Sequence, residues 1–260
     1  MAVEARFCYP FGHMANPTKP LPGAGQLIGD SWKLFTSTWN TSVKTSIYFL
    51  YAGLAMFAAA VLTKLNGGFS ILEGIVGLAA GLFIIWVTIR LYMTMLNLEA
   101  GKQPMAPGVE SKTAWALYFP YIFVVLLVGL ATLAGFVLII IPGIYLAVAF
   151  AFSQVILVDQ GIRGTQALAA SRALVKGRWW ASLWRLLAGG VVFGLLIAIV
   201  VGVLVAIATA LVGTEAMSAA NPDPVIAGAM NLLQYASQAA FMPLFLGFTV
   251  KVYRALQKTR

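Results

Sequence analysis

The sequence has very few of the side chains that carry out chemistry. It contains one cysteine, Cys8, and one histidine, His13. A single cysteine excludes an internal disulfide and a thiolate metal cluster, and one histidine leaves little from which to build a nucleophilic triad or a proton relay. We therefore expect no catalytic residue, no metal site and no cofactor, and we predict that the protein is not an enzyme.

Charged residues are also scarce. They make up only 10% of the chain, whereas hydrophobic residues make up 61% and the mean hydropathy is +0.90. Soluble domains are about 25% charged and about 45–50% apolar. Apolar runs long enough to cross a bilayer recur along the chain, so the sequence predicts an all-α, polytopic membrane helix bundle.

The first 43 residues contain no continuous apolar stretch, which predicts that no secretory signal is cleaved and that the first span directs insertion. Residues 1–25 include the run "NPTKPLPGAG", typical of a flexible leader. Residues 26–260 form the predicted membrane domain. It opens with Gln26–Asn40, a segment too polar to span but suited to an amphipathic helix in the interface.

Six spans are predicted in this domain. The third and fourth are separated only by Ile141–Pro142, and together they exceed the length of about 20 residues needed for one crossing. Proline removes a backbone donor, so we favour a hairpin over one long kinked helix. The predicted spans are Thr45–Thr63, Glu73–Leu96, Ala116–Ile140, Gly143–Val158, Leu183–Val212 and Val225–Val252.

The formal net charge of +9 is distributed unequally across this topology. Every one of the 17 lysines and arginines except Lys64 falls on the same side of the predicted membrane. The positive-inside rule then places both termini in the cytoplasm of a bacterial cell, with the chain in its inner membrane.

Basic and aromatic residues concentrate in "ASRALVKGRWWASLWR" (170–185). At the predicted cytoplasmic interface, tryptophans mix with headgroups, while lysine and arginine attract anionic phospholipid. We expect a second interfacial helix there, from an N-cap at Thr165 to a stop at Gly177, and we expect no nucleic-acid binding. The predicted headgroup ligands are Arg163, Arg172, Lys176, Arg178, Trp179, Trp180 and Arg185.

A weak internal repeat links this stretch to the first interfacial segment. "SWKLFTSTWNTS" (31–42) and "SRALVKGRWWAS" (171–182) align without gaps, and each copy leads directly into a span. The alignment predicts two parallel units, each with one interfacial helix and two spans, separated by the central hairpin. The identical pairs are Ser31/Ser171, Leu34/Leu174, Trp39/Trp179 and Ser42/Ser182.

Residues 141–180 resemble the membrane domain associated with bacterial glycerophosphoryl diester phosphodiesterases, and related uncharacterised six-span inner-membrane proteins. The resemblance covers about 40 residues closely and 26–256 in layout. The family's catalytic domain is a separate soluble barrel, and nothing in this chain matches it, so the resemblance implies a fold and no reaction. The shared positions are Pro142-Gly143-Ile144, Asp159, Gly161, Ala167, Ser171, Leu174 and Lys176-Gly177-Arg178-Trp179.

Polar residues inside the spans leave alternatives open. One face of the last span carries Asn231, Gln234, Tyr235 and Gln238, and the fourth span carries Ser153 and Gln154. These side chains predict either interhelical hydrogen bonds or a polar cavity for a headgroup or small solute. Arg90 is expected to snorkel to the headgroups, with a buried pair or an anion site as the alternative.

Two Gly-x-x-x-Gly motifs, Gly77/Gly81 and Gly190/Gly194, favour close helix packing. We expect packing within the chain, with a homodimer or another membrane-protein partner as the alternative. The predicted function is that of a non-enzymatic, lipid-interacting scaffold or accessory subunit in envelope maintenance. The alternative is a transporter or channel for lipid or a small solute along the polar face of the last helix.

Overall fold

The computed structural model describes residues 20–65, 71–138, 140–213 and 223–259. These ranges are helical and contain no strand, which confirms the all-α fold. Cys8, His13 and most of the predicted leader lie outside them. The helices are α1 (Ala24–Ser37), α2 (Trp39–Ser46), α3 (Tyr48–Leu65), α4 (Ile71–Glu99), α5 (Pro107–Leu138), α6 (Ile140–Phe150), α7 (Ser153–Gln160), α8 (Gly164–Val175), α9 (Trp179–Val212) and α10 (Pro224–Lys258).

Six helical stretches are long and apolar enough to cross a membrane, as predicted. α2 with α3 forms one of them, and α6 with α7 forms another. At about 1.5 Å per residue, α10 with its 35 residues is about 53 Å long. A hydrocarbon core is about 30 Å thick, so the ends of this helix project beyond it. The chain is a multi-pass integral membrane protein.

Ion pairs show which helix ends lie together. At one end of the bundle, Glu99 of α4 lies 3.5 Å from Arg254 and 3.7 Å from Lys251, both on α10. At the other end, Lys64 of α3 contacts Asp223, just before α10, at 2.6 Å. The ends of α10 are therefore fixed at opposite ends of the bundle. We call the first the basic end, because Lys251, Arg254 and Lys258 surround Glu99 there.

The predicted hairpin is present between α5 and α6, but the predicted break at Ile141–Pro142 lies within the first turn of α6, because proline is tolerated there. A methyl group added at Gly135 would stand 2.9 Å from Cα of Gly143, so the two backbones nearly touch where the chain reverses. Such close approach is possible only because both residues lack a side chain.

The last helix, α10, is the most buried of the six spans and packs chiefly on α3. Small residues allow this approach, since a methyl group added at Gly228 would stand 2.8 Å from Cβ of Ala60. The fifth span, α9, is the least buried. It lies at the periphery and presents most of its apolar surface outward.

The two interfacial segments share their local geometry. In both copies of the repeat a short helix ends, the chain bends, and a tryptophan (Trp39 or Trp179) begins the next helix. The first turn of each new helix has an equivalent backbone hydrogen bond of 2.9 Å. Ser42 N–H donates to the carbonyl oxygen of Thr38, and Ser182 N–H donates to that of Arg178. The second interfacial helix starts at Gly164 with Arg163 as its N-cap, slightly earlier than predicted.

Only one of the four motif glycines has a packing neighbour in the described chain: a methyl group added at Gly77 would stand 3.9 Å from the side chain of Met56. One added at Gly81, Gly190 or Gly194 would have no described atom within 4 Å beyond its chain neighbours and the nearby backbone of its own helix. The neighbouring Gly189 instead faces inward, where an added methyl group would stand 2.2 Å from the ring of Phe248. The motif positions on α9 therefore face outward, and the expectation of packing within the chain is wrong for them.

Candidate functional site

A groove of about 720 Å³ opens between α6 and α8 near the basic end. Its basic groups are Arg172 and Lys176, and none of its described lining residues is acidic. Its floor is apolar and is formed by Ala149, Phe150, Leu168 and Val175.

The amphipathic sequence of α8 explains how this groove forms. Leu168, Leu174 and Val175 are buried against the bundle. Arg172 lies in the last turn of α8 and Lys176 is its C-cap, and both are exposed. The side chain of Arg172 makes no hydrogen bond or ion pair with the described residues. One face of α8 thus anchors the helix, while its cations stand at the edge of the groove.

An aromatic wall closes one side of the groove. The rings of Tyr145 and Trp179 stack at 5.7 Å with an interplanar angle of 25°, and Nε1 of Trp179 donates to the carbonyl oxygen of Tyr145 at 3.2 Å. Trp180 meets Trp179 edge-on at 4.8 Å and is 69% exposed. Tryptophans are enriched at the headgroup level of membranes.

Two of the predicted headgroup ligands instead bind the protein's own backbone. Nη2 of Arg178 donates to the carbonyl oxygen of Thr259 at 2.9 Å. Nε of Arg185 donates to the carbonyl oxygen of Pro22 at 2.8 Å, and its Nη2 donates to that of Leu21 at 3.1 Å. These arginines tie the end of α10 and the segment before α1 to the start of α9.

Arg163 lies apart from the groove. It is exposed and lines a shallower recess of about 480 Å³ on the other side of α8, beside Pro120 and Phe123. The predicted headgroup residues therefore do not form one site. Arg172 and Lys176 lie at the edge of the groove with Trp179 and Trp180 beside them. Arg178 and Arg185 bind backbone carbonyls, and Arg163 lies outside the groove.

The fourth span is interrupted beneath the groove, between α6 and α7. Phe152 N–H donates to Oγ of Ser171 at 3.2 Å, and the same hydroxyl donates to the carbonyl oxygen of Ala149 at 2.8 Å. Ser171 belongs to α8 and is fully buried. One serine thus supplies a partner to a backbone donor and to a backbone acceptor at the break.

The predicted polar residues of the fourth span have different surroundings. Gln154 accepts a hydrogen bond from the hydroxyl of Tyr121 at 3.1 Å, which joins α7 to α5. Ser153 is fully buried, and its hydroxyl has no partner among the described residues.

The polar face of α10 makes no comparable bonds. The side chains of Asn231, Gln234 and Gln238 form no hydrogen bond with the residues that the structure describes. Tyr235 packs against α3, where a methyl group added at Gly53 would stand 2.8 Å from its Cβ. The choice between interhelical bonding and a solute cavity on this face stays a prediction.

Arg90 does not snorkel, so that expectation is wrong, and the alternative of a buried pair is confirmed. Its Nη2 lies 3.1 Å from Oε2 of Glu110, and both side chains are only 6% exposed. Its guanidinium carbon lies 4.7 Å from the ring centroid of Tyr48 and 4.6 Å from that of Trp86. Oγ1 of Thr94 donates to Oε1 of Glu110 at 2.9 Å. A carboxylate and two aromatic faces therefore hold the arginine inside the bundle.

A polar cluster at the basic end was not predicted from the sequence. Arg254 binds both oxygens of Asp159, at 2.8 and 2.9 Å. The hydroxyl of Tyr253 donates to the same carboxylate at 2.7 Å, and Glu99 adds the pairs already described. This cluster joins the ends of α4, α7 and α10. The available signal was an acidic residue at the end of two spans and a basic run at the end of a third.

Comparisons with known proteins found no matching family model, no matching curated protein and no matching solved structure. The resemblance to the phosphodiesterase-associated membrane domain therefore stays a hypothesis.

Proposed function

We propose that this integral membrane protein is a non-enzymatic, lipid-interacting scaffold or accessory subunit that binds an anionic phospholipid in the groove between α6 and α8. The observation that carries the proposal is the groove itself, in which two cations border an apolar floor. An anionic headgroup complements Arg172 and Lys176, and an acyl chain complements Ala149, Phe150 and Leu168.

The position of the groove supports this ligand. Trp180 is exposed beside it, and exposed tryptophans favour the membrane–water interface. A basic residue near an anionic membrane surface contributes about 1 kcal/mol. Two such residues give about 2 kcal/mol, or close to 30-fold in affinity, for anionic over zwitterionic lipid.

The wider setting is part of the same proposal. The concentration of basic residues at one end favours a bacterial inner membrane with that end, and both termini, in the cytoplasm. The resemblance to the phosphodiesterase-associated domain favours a role in envelope maintenance. A scaffold or accessory subunit also needs a membrane-protein partner or a second copy, for which the outward face of α9 is available.

Native mass spectrometry or nanodisc titration with phosphatidylglycerol and phosphatidylcholine tests the lipid. Replacing Arg172 and Lys176 by glutamine together should lower affinity for phosphatidylglycerol by about 30-fold, with a smaller loss at high salt. Phosphatidylcholine binding should change little.

The matched control is the double change Lys102→Gln with Lys112→Gln. It removes the same charge from exposed lysines outside the groove. An equal loss in both double variants would mean that only the total charge matters. No loss in either would contradict phospholipid binding by the groove.

A second candidate function is passage of lipid or a small solute along the polar face of α10. It is favoured by one observation, the absence of hydrogen bonds from Asn231, Gln234 and Gln238 to any described residue. Replacing Gln238 by leucine should then abolish transport in reconstituted vesicles while the protein stays folded. A scaffold would tolerate the same change, with a cost of at most about 1–2 kcal/mol in stability.

A further inference from the structure

We propose that Ser171 is a positioning residue that couples occupancy of the groove to the break in the fourth span. Bound anionic phospholipid would hold the break between α6 and α7 in the bonded form seen here, and loss of the lipid would loosen it. This inference rests on the proposed function, because it concerns the regulation of the same groove.

The break between α6 and α7 lacks the regular backbone bonding of a helix. In a continuous α-helix each N–H donates to the carbonyl four residues earlier, so Phe152 would bond Val148. Here Phe152 N–H bonds Ser171 instead, and the bond from Ala151 N–H to the carbonyl of Val148 is long at 3.4 Å. The interrupted turn therefore depends on a side chain from another helix.

Loss of the Ser171 hydroxyl would leave two buried backbone groups without a partner. Backbone groups buried in a membrane protein require partners, because no water is present to replace them. Ser171 is fully buried, and its one hydroxyl bonds Phe152 N–H and the carbonyl of Ala149. Movement of α8 away from α6 would leave both groups unpaired, so the position of α8 governs the break.

The break and the groove share residues of α6 and lie against the same part of α8. Ala149 and Phe150 form part of the groove floor, and Ala149 is also the acceptor for Ser171. Arg172, the residue after Ser171, stands at the groove's edge. A lipid that binds Arg172 with its headgroup and packs on Ala149 contacts both helices across the Ser171 bond. It would hold α8 against α6, and by linkage a weakened break would bind lipid less tightly.

The internal repeat supplies a contrast within the same chain. Ser31, the counterpart of Ser171, is equally buried, but its hydroxyl donates at 2.6 Å to Leu27 of its own helix. The serine in the first unit therefore bonds within α1, whereas the serine in the second unit bonds an interrupted neighbouring span. Replacing Ser31 provides a matched control for the loss of a buried serine hydroxyl.

Hydrogen–deuterium exchange of the full chain in nanodiscs tests the coupling. In the native protein, phosphatidylglycerol should slow exchange of the amides in 149–156 relative to phosphatidylcholine. Ser171→Ala should remove this lipid-dependent slowing and weaken phosphatidylglycerol binding by about 3- to 10-fold, which corresponds to transmitting the strength of one of its two lost hydrogen bonds to the groove. Ser31→Ala should retain both the slowing and the affinity.

A second variant keeps the test decisive if Ser171→Ala does not fold. Arg172 is exposed, and Arg172→Gln should remove the slowing at 149–156 while the Ser171 bond stays intact. If phosphatidylglycerol binds the native protein in the groove but exchange at 149–156 does not change, the coupling is wrong and the proposed function stands. If phosphatidylglycerol does not bind the groove, both are wrong.

Discussion

Arg90 and Glu110 form an ion pair in which both side chains are 6% exposed, joining α4 to the first turns of α5. Removing one member of a buried pair leaves the other charge unpaired, which costs about 3–5 kcal/mol. Glu110→Gln should therefore destabilise the protein strongly, as measured by equilibrium unfolding in mixed detergent micelles.

The double variant Arg90→Met with Glu110→Leu should be closer to the native stability than either single change, because no unpaired charge remains. Lys64→Met provides the control. It breaks a pair in which the lysine side chain is 51% exposed, and such solvent-exposed pairs contribute little to stability. Additive costs for Arg90 and Glu110 would contradict direct pairing.

Gly189 and Gly190 are adjacent in α9 but have opposite surroundings. A methyl group at Gly189 would stand 2.2 Å from the Phe248 ring, whereas one at Gly190 would have no described atom within 4 Å beyond its chain neighbours and the nearby backbone of its own helix. Gly189→Ala should destabilise the protein by about 1–3 kcal/mol through overpacking. Gly190→Ala should be neutral or stabilise it slightly, because alanine favours helices by about 0.5–1 kcal/mol.

A double-mutant cycle with Phe248→Leu checks this cause. The smaller side chain should reduce the cost of Gly189→Ala and leave that of Gly190→Ala unchanged. If Gly190→Ala proved as costly as Gly189→Ala, the outer face of α9 would be an interface with another chain, and size-exclusion chromatography of that variant should then show a smaller assembly.

The spans could be predicted from the sequence because a bilayer sets their length and excludes charge. The buried and exposed faces of α8 could also be predicted from the sequence, because Leu174 and Arg172 follow helical periodicity. A buried pair was the alternative for Arg90, but its partner could not be identified, because Glu110 lies outside the predicted third span, Ala116–Ile140, and its position depends on how far α5 extends.

The break in the fourth span had no local signal. Ala151 and Phe152 are not helix-breaking residues, and no proline lies between 143 and 160. The interruption depends on a hydroxyl 19 residues away, so only the tertiary structure reveals it. Similarly, Arg178 and Arg185 lie in a basic and aromatic segment that is typical of headgroup binding. That pattern does not indicate that both arginines donate to carbonyl oxygens of the chain itself.

The pair at the end opposite the basic cluster should respond to acid. The hydrogen bond from Lys64 is the largest cause that lowers the pKa of Asp223. A lowered carboxylate pKa stabilises the folded state above its unfolded value of about 4, and this contribution is lost as the pH falls through the folded pKa. Lys64→Gln should lower the melting temperature at pH 7, and the difference from the native protein should shrink below about pH 4.

Thermal unfolding across pH 3–7 measures this difference, with Lys44→Gln at the basic end as a control for the loss of one positive charge. High salt should also reduce the difference at pH 7, because the pair is exposed to solvent. A difference that stayed constant down to pH 3 would show that Lys64 acts without Asp223.

The orientation of the bundle is the remaining prediction, and it follows from the location of every lysine and arginine except Lys64 on one predicted side. Gln103 lies between α4 and α5 and is exposed, next to the basic end. Ser218 lies outside the described residues, between α9 and the Asp223 end of α10. With Cys8 replaced by serine, a cysteine at Ser218 should react with a membrane-impermeant maleimide in intact cells, and one at Gln103 only after permeabilisation. Leu65→Cys, exposed beside Lys64, should follow Ser218. The reverse pattern would place the basic end outside, and reaction of both sites from one side would contradict six crossings.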